Sequence, residues 1–160
     1  MKTKRSNIII YNHQTFEELK DMLPEGEWQQ EDDLVEFIYK DYKCEIKRTR
    51  MGNLCGYVYI PEDHPLYEKI KMDDNEIECH GGITYTSEFG EIGKIGFDCA
   101  HCYDLIPYRS DYVNSLLSMF EKYRLPTITY KNIDYVMDEC CSIVDQLKEK
   151  QNDIRIKTIY

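Results

Sequence analysis

Residues 34–60 read LVEFIYKDYKCEIKRTRMGNLCGYVYI, and this stretch decides the fold class. Apolar and polar side chains alternate along it, as in strands with one buried face. One face of the first two predicted strands contains Val35, Phe37, Tyr39, Cys44, Ile46 and Arg48. Asp41 lies where a hairpin would turn, and Met51-Gly52-Asn53 supplies a second turn into a strand from Leu54 to Ile60. The stretch predicts an antiparallel meander.

On the N-terminal side of the meander, the pattern predicts one strand and one helix. Ile8 to Tyr11 is an apolar run suited to a strand. Thr15 to Leu23 reads as a helix capped by Thr15, which packs through one side made of Phe16, Leu19, Met22 and Leu23. The acidic run Glu31 to Asp33 is interpreted as solvated surface.

On the C-terminal side, the chain is expected to leave the sheet and return to it. Pro61 and Pro65 remove backbone donors, so the segment between them is predicted outside the sheet, and Asp73-Asp74-Asn75 is predicted to turn. Glu76 to Thr86 and Gly93 to Cys99 then read as two further strands.

Two helices are predicted near the end of the chain. The first is capped by Ser110 and runs to about Tyr123, with a buried side made of Tyr112, Val113, Leu116, Leu117 and Phe120. The second is capped by Asn132, with a buried side made of Ile133, Val136, Met137, Cys140, Val144 and Leu147. The sequence therefore predicts a single α+β domain over residues 1–160, an antiparallel meander with helices packed on one face.

Charge and composition limit the classes of partner. The formal net charge of -10 opposes binding of a long nucleic acid, although a few local donors can still bind a small anion. No apolar stretch is long enough to predict a membrane span, and the first seven residues lack a signal-peptide core, so a cytoplasmic protein is expected. Seven cysteines, an odd number mostly set in apolar runs, are expected to be reduced thiols.

The first candidate site segment is Cys79 to Tyr85. Its adjacent glycines, Gly81 and Gly82, interrupt a strand pattern that they would weaken. One interpretation is close approach of a ligand to their amides, with hydrogen bonds from His80, Thr84 and Tyr85. The other interpretation is a β-bulge that bends the sheet.

The second candidate segment is Gly96 to Asp104, which follows the last predicted strand. Zinc has possible ligands in Cys99, His101 and Cys102, although their spacing is tighter than in the usual knuckle. Covalent catalysis would use Cys99 or Cys102 with His80 or His101 as base. Metal-assisted hydrolysis would use a divalent ion held by Asp98, Asp104 and the histidines. Noncatalytic binding and a hydrogen-bonded structural corner are the remaining interpretations.

Four pieces of the sequence carry a resemblance. They are GYVYIPEDHPLY at 56–67, HGGITY at 80–85, IGFDCAH at 95–101, and a late group of Tyr135, Val136, Glu139, Gln146 and Leu147. Together, over residues 56–147, they resemble a widespread family of small bacteriophage and prophage proteins that carries little known chemistry. The commoner form of that family has no consistent thiol at the position of Cys102, which disfavours zinc.

Small phage accessory proteins are similar to counter-defence factors, one class of which sequesters the cyclic nucleotide signals of host immunity (anti-CBASS sponges). By that analogy we expect a homo-oligomer, assembled through the last helix, that binds a nucleotide-like ligand without cofactor, metal or catalytic residue. The expected ligand-binding residues are Tyr57, Tyr59, Tyr67, His80, Gly81, Gly82, Thr84, Tyr85, Phe97, Asp98, His101 and Asp104. The alternatives are a metal-dependent hydrolase or phosphodiesterase, which would use His80, Asp98, His101 and Asp104, and a protein-binding inhibitor with a tyrosine-rich surface.

Overall fold

Five antiparallel strands form one sheet in the order of the sequence. The computed structural model describes residues 6–71, 76–124 and 126–160, with the side chains of 117–120 outside the description. The strands are β1 (Ile8–Gln14), β2 (Leu34–Tyr39), β3 (Tyr42–Arg48), β4 (Leu54–Tyr59) and β5 (Lys94–Asp98). Each pairs with its neighbour, so the order is β1-β2-β3-β4-β5 and the predicted meander is confirmed. The predicted turn at 73–75 lies outside the described residues.

The predicted strand from Glu76 to Thr86 is wrong. Within the described part of this segment, pairing with the sheet is limited to an isolated bridge between Tyr85 and Gly96. Gly81 and Gly82 have φ of +68° and +82°, and the Gly82 amide donates to the Cys79 carbonyl at 3.0 Å. Two consecutive left-handed residues turn the chain instead of extending it. The β-bulge interpretation is wrong at this place too, since the bulge lies in β1, between Ile10 and Asn12.

Three α-helices accompany the sheet: α1 (Glu17–Met22), α2 (Ser110–Lys122) and α3 (Ile133–Ile159). The α+β class is confirmed. Thr15 does not cap α1, because the helix begins after Phe16, whose amide donates to the Asp33 carboxylate at 2.7 Å. Ser110 does not cap α2 either, because a 3₁₀ turn over Pro107–Arg109 runs directly into that helix. The predicted cap of α3 is confirmed, since the Asn132 side chain accepts from the Tyr135 amide at 3.0 Å.

Two residues predicted on buried helix sides are exposed. Met22 at the end of α1 is 60% exposed, and Tyr112 in the first turn of α2 is 67% exposed. The 3.6-residue period marks a stripe of apolar side chains, but which neighbour covers each turn depends on tertiary packing. Leu117 and Phe120 were also predicted to be buried, but their side chains are not among those that the structure describes.

α3 packs on β3 and β4 and closes the core. From the sheet, the core contains alternate residues such as Phe37, Cys44 and Val58; from α3 it contains Val136, Cys140, Cys141, Ile143, Val144 and Leu147. Gly56 makes the close approach possible, because a Cβ there would lie 2.6 Å from the Phe97 ring and 2.8 Å from Cys140 Sγ. We call the sheet face opposite α3 the open face.

The segment after β4 leaves the sheet, as predicted, and is tied to α3 by His64. The imidazole is buried, with Nε2 2.9 Å from the Leu147 carbonyl oxygen. Its Nδ1 accepts from the Leu66 amide at 3.0 Å, so Nε2 carries the proton and donates to Leu147. Among the described residues, none of the helices combines the length and the apolar character needed to cross a membrane.

The acidic run Glu31 to Asp33 is not solvated surface, and this prediction is wrong. The Asp33 side chain is fully buried, and its Oδ1 accepts from Arg48 Nε at 2.6 Å. Arg48 Nη2 donates to Glu31 at 3.0 Å, and Nη1 donates to the Tyr130 hydroxyl at 2.6 Å. The ammonium of Lys20, only 5% exposed, lies 2.9 Å from Asp33. These five residues, Lys20, Glu31, Asp33, Arg48 and Tyr130, are called the Arg48 cluster.

The Arg48 cluster joins distant parts of the chain. Lys20 comes from α1, Arg48 from β3, and Tyr130 from the segment that leads into α3. Glu31 accepts from the Tyr130 hydroxyl at 2.7 Å and from the Ile133 amide, at the start of α3, at 3.1 Å. Buried charges are tolerated because each has opposite charges and hydrogen-bond partners.

Candidate functional site

The two predicted site segments meet at His80. Its Nε2 lies 2.7 Å from Asp104 Oδ2, and its Nδ1 lies 2.8 Å from the Tyr135 hydroxyl of α3. The His80 amide donates to the Glu139 carboxylate, one turn further along α3, at 2.8 Å. The turn at Gly81 and Gly82 follows directly, so it brings the imidazole back between the second segment and the helix.

Asp104 receives hydrogen bonds from three directions. Besides His80, the His101 amide donates to Oδ2 at 2.9 Å and Lys131 Nζ lies 3.1 Å from Oδ1. Burial alone would raise the pKa of Asp104, but the hydrogen bonds from His80, His101 and Lys131 together lower it. The carboxylate is therefore an acceptor at neutral pH. We call His80, His101, Asp104, Lys131 and Tyr135 the His80 network.

The carboxylate fixes where His80 carries a proton. Because ionised Asp104 only accepts, His80 Nε2 must donate to it. The Tyr135 hydroxyl can donate to Nδ1 of the neutral ring or accept from Nδ1 of the charged ring. Burial, followed by the nearby Glu139 carboxylate, raises the pKa of Tyr135 to about 12, so its hydroxyl keeps the proton. The His80 network can hold either charge state of the imidazole.

His101 connects the His80 network to β5. The His80 and His101 rings are 5.6 Å apart, and His101 Nε2 lies 3.5 Å from Asp98 Oδ1. The other oxygen of Asp98 accepts from the Thr84 hydroxyl at 2.9 Å. Gly81 makes room for the His101 ring, because a Cβ there would lie 1.9 Å from Nε2. The packing of His101 against this position therefore accounts for the glycine at residue 81.

Beside Thr84 and Asp98, three tyrosines surround one lysine on the open face. Lys94 Nζ lies 4.5 Å from the ring centre of Tyr57, 5.2 Å from that of Tyr59 and 5.7 Å from that of Tyr85. Tyr57 and Tyr85 meet edge to face at 5.3 Å. We call Tyr57, Tyr59, Tyr85 and Lys94 the tyrosine surface. All three rings are half-buried, so part of each is accessible.

Charged groups border the tyrosine surface. Lys94 Nζ is 3.4 Å from Glu45 and 3.7 Å from Glu91, and the Tyr59 hydroxyl donates to Glu91 at 3.3 Å. The ammonium of Lys43 lies 4.9 Å from the Tyr59 ring centre, so Tyr59 is flanked by two lysines. Cation and π system attract each other at such distances.

Three predicted ligand residues make contacts inside the fold. Phe97 is 1% exposed and packs against Gly56 in the core, because β5 directs it to the face opposite Asp98. Tyr67 packs against the core and against Gly93, where a Cβ would lie 2.4 Å from its ring. The Gly82 amide is not free, since it closes the turn onto Cys79.

Burial opposes the thiolate form of Cys99, one of the two candidate nucleophiles, as it does for Cys79. Burial raises the pKa of the Cys79 thiol to about 12 and raises that of Cys99 as well. Cys99 is buried in the core whereas Cys102 is exposed, so the zinc ligands proposed with His101 are not gathered around one point. Among the residues described, no three His, Cys, Asp or Glu side chains are arranged to hold a metal ion.

Sequence reasoning from the two segments missed Lys94, Lys131 and the roles of Tyr135 and Glu139. Tyr135 and Glu139 had appeared only as part of the resemblance, together with Gln146. Tyr135 and Glu139 contact His80 in the first segment. Gln146 accepts from the Glu78 amide at 2.7 Å and donates to the Glu78 carbonyl at 2.7 Å, just before that segment. The spacing of four residues from Tyr135 to Glu139 was a signal that both share one helix side.

A narrow cleft with essentially no enclosed volume lies between the segment after β4 and β5, lined by residues that include Ile60, Leu66 and Ile95. Pockets that enclose small molecules are usually of about 300 Å³ or more. This cleft is therefore too small to enclose a nucleotide. In comparisons with protein-family models, curated proteins and solved structures, none matches this chain significantly.

Proposed function

We propose that this chain binds a small nucleotide-like ligand on the tyrosine surface and holds it without turning it over. The observation that carries the proposal is the position of Tyr59, a half-buried residue on the open face whose ring centre lies 4.9 Å from Lys43 Nζ and 5.2 Å from Lys94 Nζ. A nucleobase stacks on an aromatic ring, and a phosphate needs a cation close by. Tyr59 and its two lysines offer both within one small area.

The neighbouring groups suit the edges of a base. Glu45 beside Lys94 and Asp98 beside Thr84 are carboxylates that accept hydrogen bonds from base N–H groups. Tyr57 and Tyr85 add a second aromatic contact next to Tyr59. The chain carries a net charge of -10 and Lys94 also lies near Glu45 and Glu91, so the surface offers only local cationic contacts, which suit a small ligand better than a long strand.

The proposed absence of turnover is supported by the engagement of His80 and Asp104. Both ring nitrogens of His80 have partners inside the fold, and Asp104 is held by His80, the His101 amide and Lys131. These contacts give the pair a positioning role for the loops that border the tyrosine surface. The resemblance to small phage proteins supports a cyclic oligonucleotide immune signal in the host cytoplasm as the class of ligand.

The test is calorimetric titration of the chain with mononucleotides, linear dinucleotides, and cyclic di- and trinucleotides. At least one of them should bind, and Tyr59→Leu should weaken that binding about 5- to 150-fold, because stacking contributes about 1–3 kcal/mol per base. Tyr59→Phe should keep most of the affinity, because the ring is retained. Tyr160→Leu is the matched control, since Tyr160 is fully exposed at the end of α3.

Three outcomes would overturn the proposal. The first is no binding by any nucleotide in the panel. The second is equal affinity of wild type and Tyr59→Leu, which would place the ligand elsewhere. The third is product formation, detected by chromatography after incubation with divalent ions and abolished by a chelator, which would favour the metal-dependent hydrolase. Binding of a host protein without any nucleotide binding would favour the inhibitor alternative.

A further inference from the structure

Among the described residues, the outer edge of β1 is unpaired and has few protecting features. β1 is the first strand in the sheet order, so its outer side has no neighbour among the described strands. Ile9, Ile10 and Tyr11 are 61%, 51% and 47% exposed. Natural proteins protect such edges with charged residues, proline, bulges or a cover. β1 reads IIIYNHQ, without lysine, aspartate, glutamate or proline, and has only its bulge at Tyr11.

At the other edge of the sheet, β5 is partly covered by another segment of the chain. The Thr84 and Tyr85 amides donate to the Gly96 carbonyl, and the Gly96 amide donates to the Tyr85 carbonyl at 2.9 Å. The middle of β5 is thereby covered by the chain itself. α3 packs on β3 and β4 and leaves Ile10 exposed. The open edge is therefore specific to β1.

We infer that β1 pairs antiparallel with β1 of a second copy of this chain and forms a continuous ten-stranded sheet. Two antiparallel copies of one edge are related by a two-fold axis, so donors and acceptors of the edge match themselves. The paired strands themselves would add no contact between like charges, because residues 6–15 contain no Asp, Glu, Lys or Arg.

The dimer keeps the two proposed ligand sites separate. A two-fold axis perpendicular to the sheet leaves both open faces on the same side. The two β4 strands are then seven strand spacings apart, about 34 Å at roughly 4.8 Å per spacing. One small ligand cannot bridge the two tyrosine surfaces, so dimerisation and ligand binding can fail independently.

Sedimentation equilibrium over about a hundredfold range of concentration tests the inference. The wild-type chain should be a dimer at the upper end, and Ile10→Lys should raise the dissociation constant at least tenfold, because it brings two like charges together near the axis. Ile156→Lys on α3 is the matched control, since Ile156 is 56% exposed against 51% for Ile10. That variant should remain dimeric.

Hydrogen exchange of the wild-type chain gives a second measurement that needs no variant. Backbone amides of residues 8–14 should exchange more slowly at high concentration than at low concentration, whereas those of residues 54–59 should not change. A monomer at all concentrations, exchange of β1 independent of concentration, or a dimer that Ile156→Lys dissociates and Ile10→Lys does not, would each overturn the inference.

Discussion

The Arg48 cluster and the His80 network both connect the sheet to the start of α3, but they use different chemistry. The Arg48 cluster sets a guanidinium and an ammonium against the carboxylates of Glu31 and Asp33. The His80 network sets the carboxylate of Asp104 against imidazole, ammonium and a backbone amide. Imidazole is the side chain that ordinarily changes charge near neutral pH. Guanidinium, ammonium and carboxylate groups thus join α1, β3 and α3, whereas the two imidazoles lie at the candidate site.

The two regions also differ in whether their hydrogen bonds can exchange donor and acceptor. The hydroxyl of Tyr135 can reverse its hydrogen bond with His80, so that contact survives a change in the ring's charge. Arg48 has donors only, and its partners Asp33 and Glu31 have acceptors only. No rearrangement of the remaining groups can replace Arg48, so the Arg48 cluster should be the less tolerant of the two.

The largest expected effect is that of Arg48→Met. The change leaves the buried Asp33 with Lys20 as its one remaining cationic partner in the Arg48 cluster and removes the donor that Glu31 and Tyr130 share, so the free energy of unfolding should fall by about 3–5 kcal/mol. Urea denaturation at neutral pH measures it. Arg50→Met is the control, because Arg50 lies two residues away and is exposed. A loss below about 1 kcal/mol would contradict the proposed difference between the regions.

A smaller, pH-dependent effect is expected for Asp104→Asn. Loss of the charged acceptor should cost about 1.5–3 kcal/mol at neutral pH. The pKa of Asp104 is lowered in the folded protein, so its contribution is present above the unfolded value of about 4 and is lost as pH falls through the lower folded value. The difference in stability between wild type and variant should therefore close in acid.

Urea denaturation at several pH values between neutral and strongly acid measures this difference. Asp153→Asn, at an exposed position of α3, should show no comparable loss at neutral pH. If the Asp104→Asn difference persisted unchanged in strong acid, the carboxylate would not be stabilised by the contacts seen around His80.

The meander was predictable because its information is local. Alternation in β2, β3 and β4, with turn residues between them, specifies which face of each strand is buried. The Arg48 cluster was not predictable in this way. Asp33 looks like surface in the sequence, and its partners Lys20 and Arg48 lie 13 and 15 residues away on different elements. Only tertiary packing brings such charges together.

The candidate site shows the same limit. The sequence identified both segments that meet at His80, because two adjacent glycines interrupt a strand pattern and a cluster of acids, thiols and an imidazole follows the next strand. It placed Phe97 with them, although neighbours in a strand point to opposite faces and Asp98 was already assigned to the site. It also read Gly81 and Gly82 as ligand contacts, whereas their φ values and the position of His101 give an intramolecular reason.

The smallest expected effect is a difference in stability between Gly81→Ala and Gly82→Ala. This difference reports how tightly the His80 network is packed. Both glycines have positive φ, so alanine should cost about 1–2 kcal/mol at either position. At Gly82 the new Cβ meets nothing within 4 Å, whereas at Gly81 it would displace the His101 ring from Asp98. Gly81→Ala should therefore destabilise the chain by about 1 kcal/mol more than Gly82→Ala.

Repeating both substitutions in a His101→Ala background isolates that contact, because the ring is no longer there to be displaced. The extra cost of Gly81→Ala should then disappear, while the backbone cost shared with Gly82→Ala should remain. Urea denaturation of the five variants and wild type completes the cycle. Equal costs at the two glycines in the wild-type background would mean that His101 yields freely. In that case the first segment would be joined to β5 through Thr84 and Asp98 without support from the imidazole.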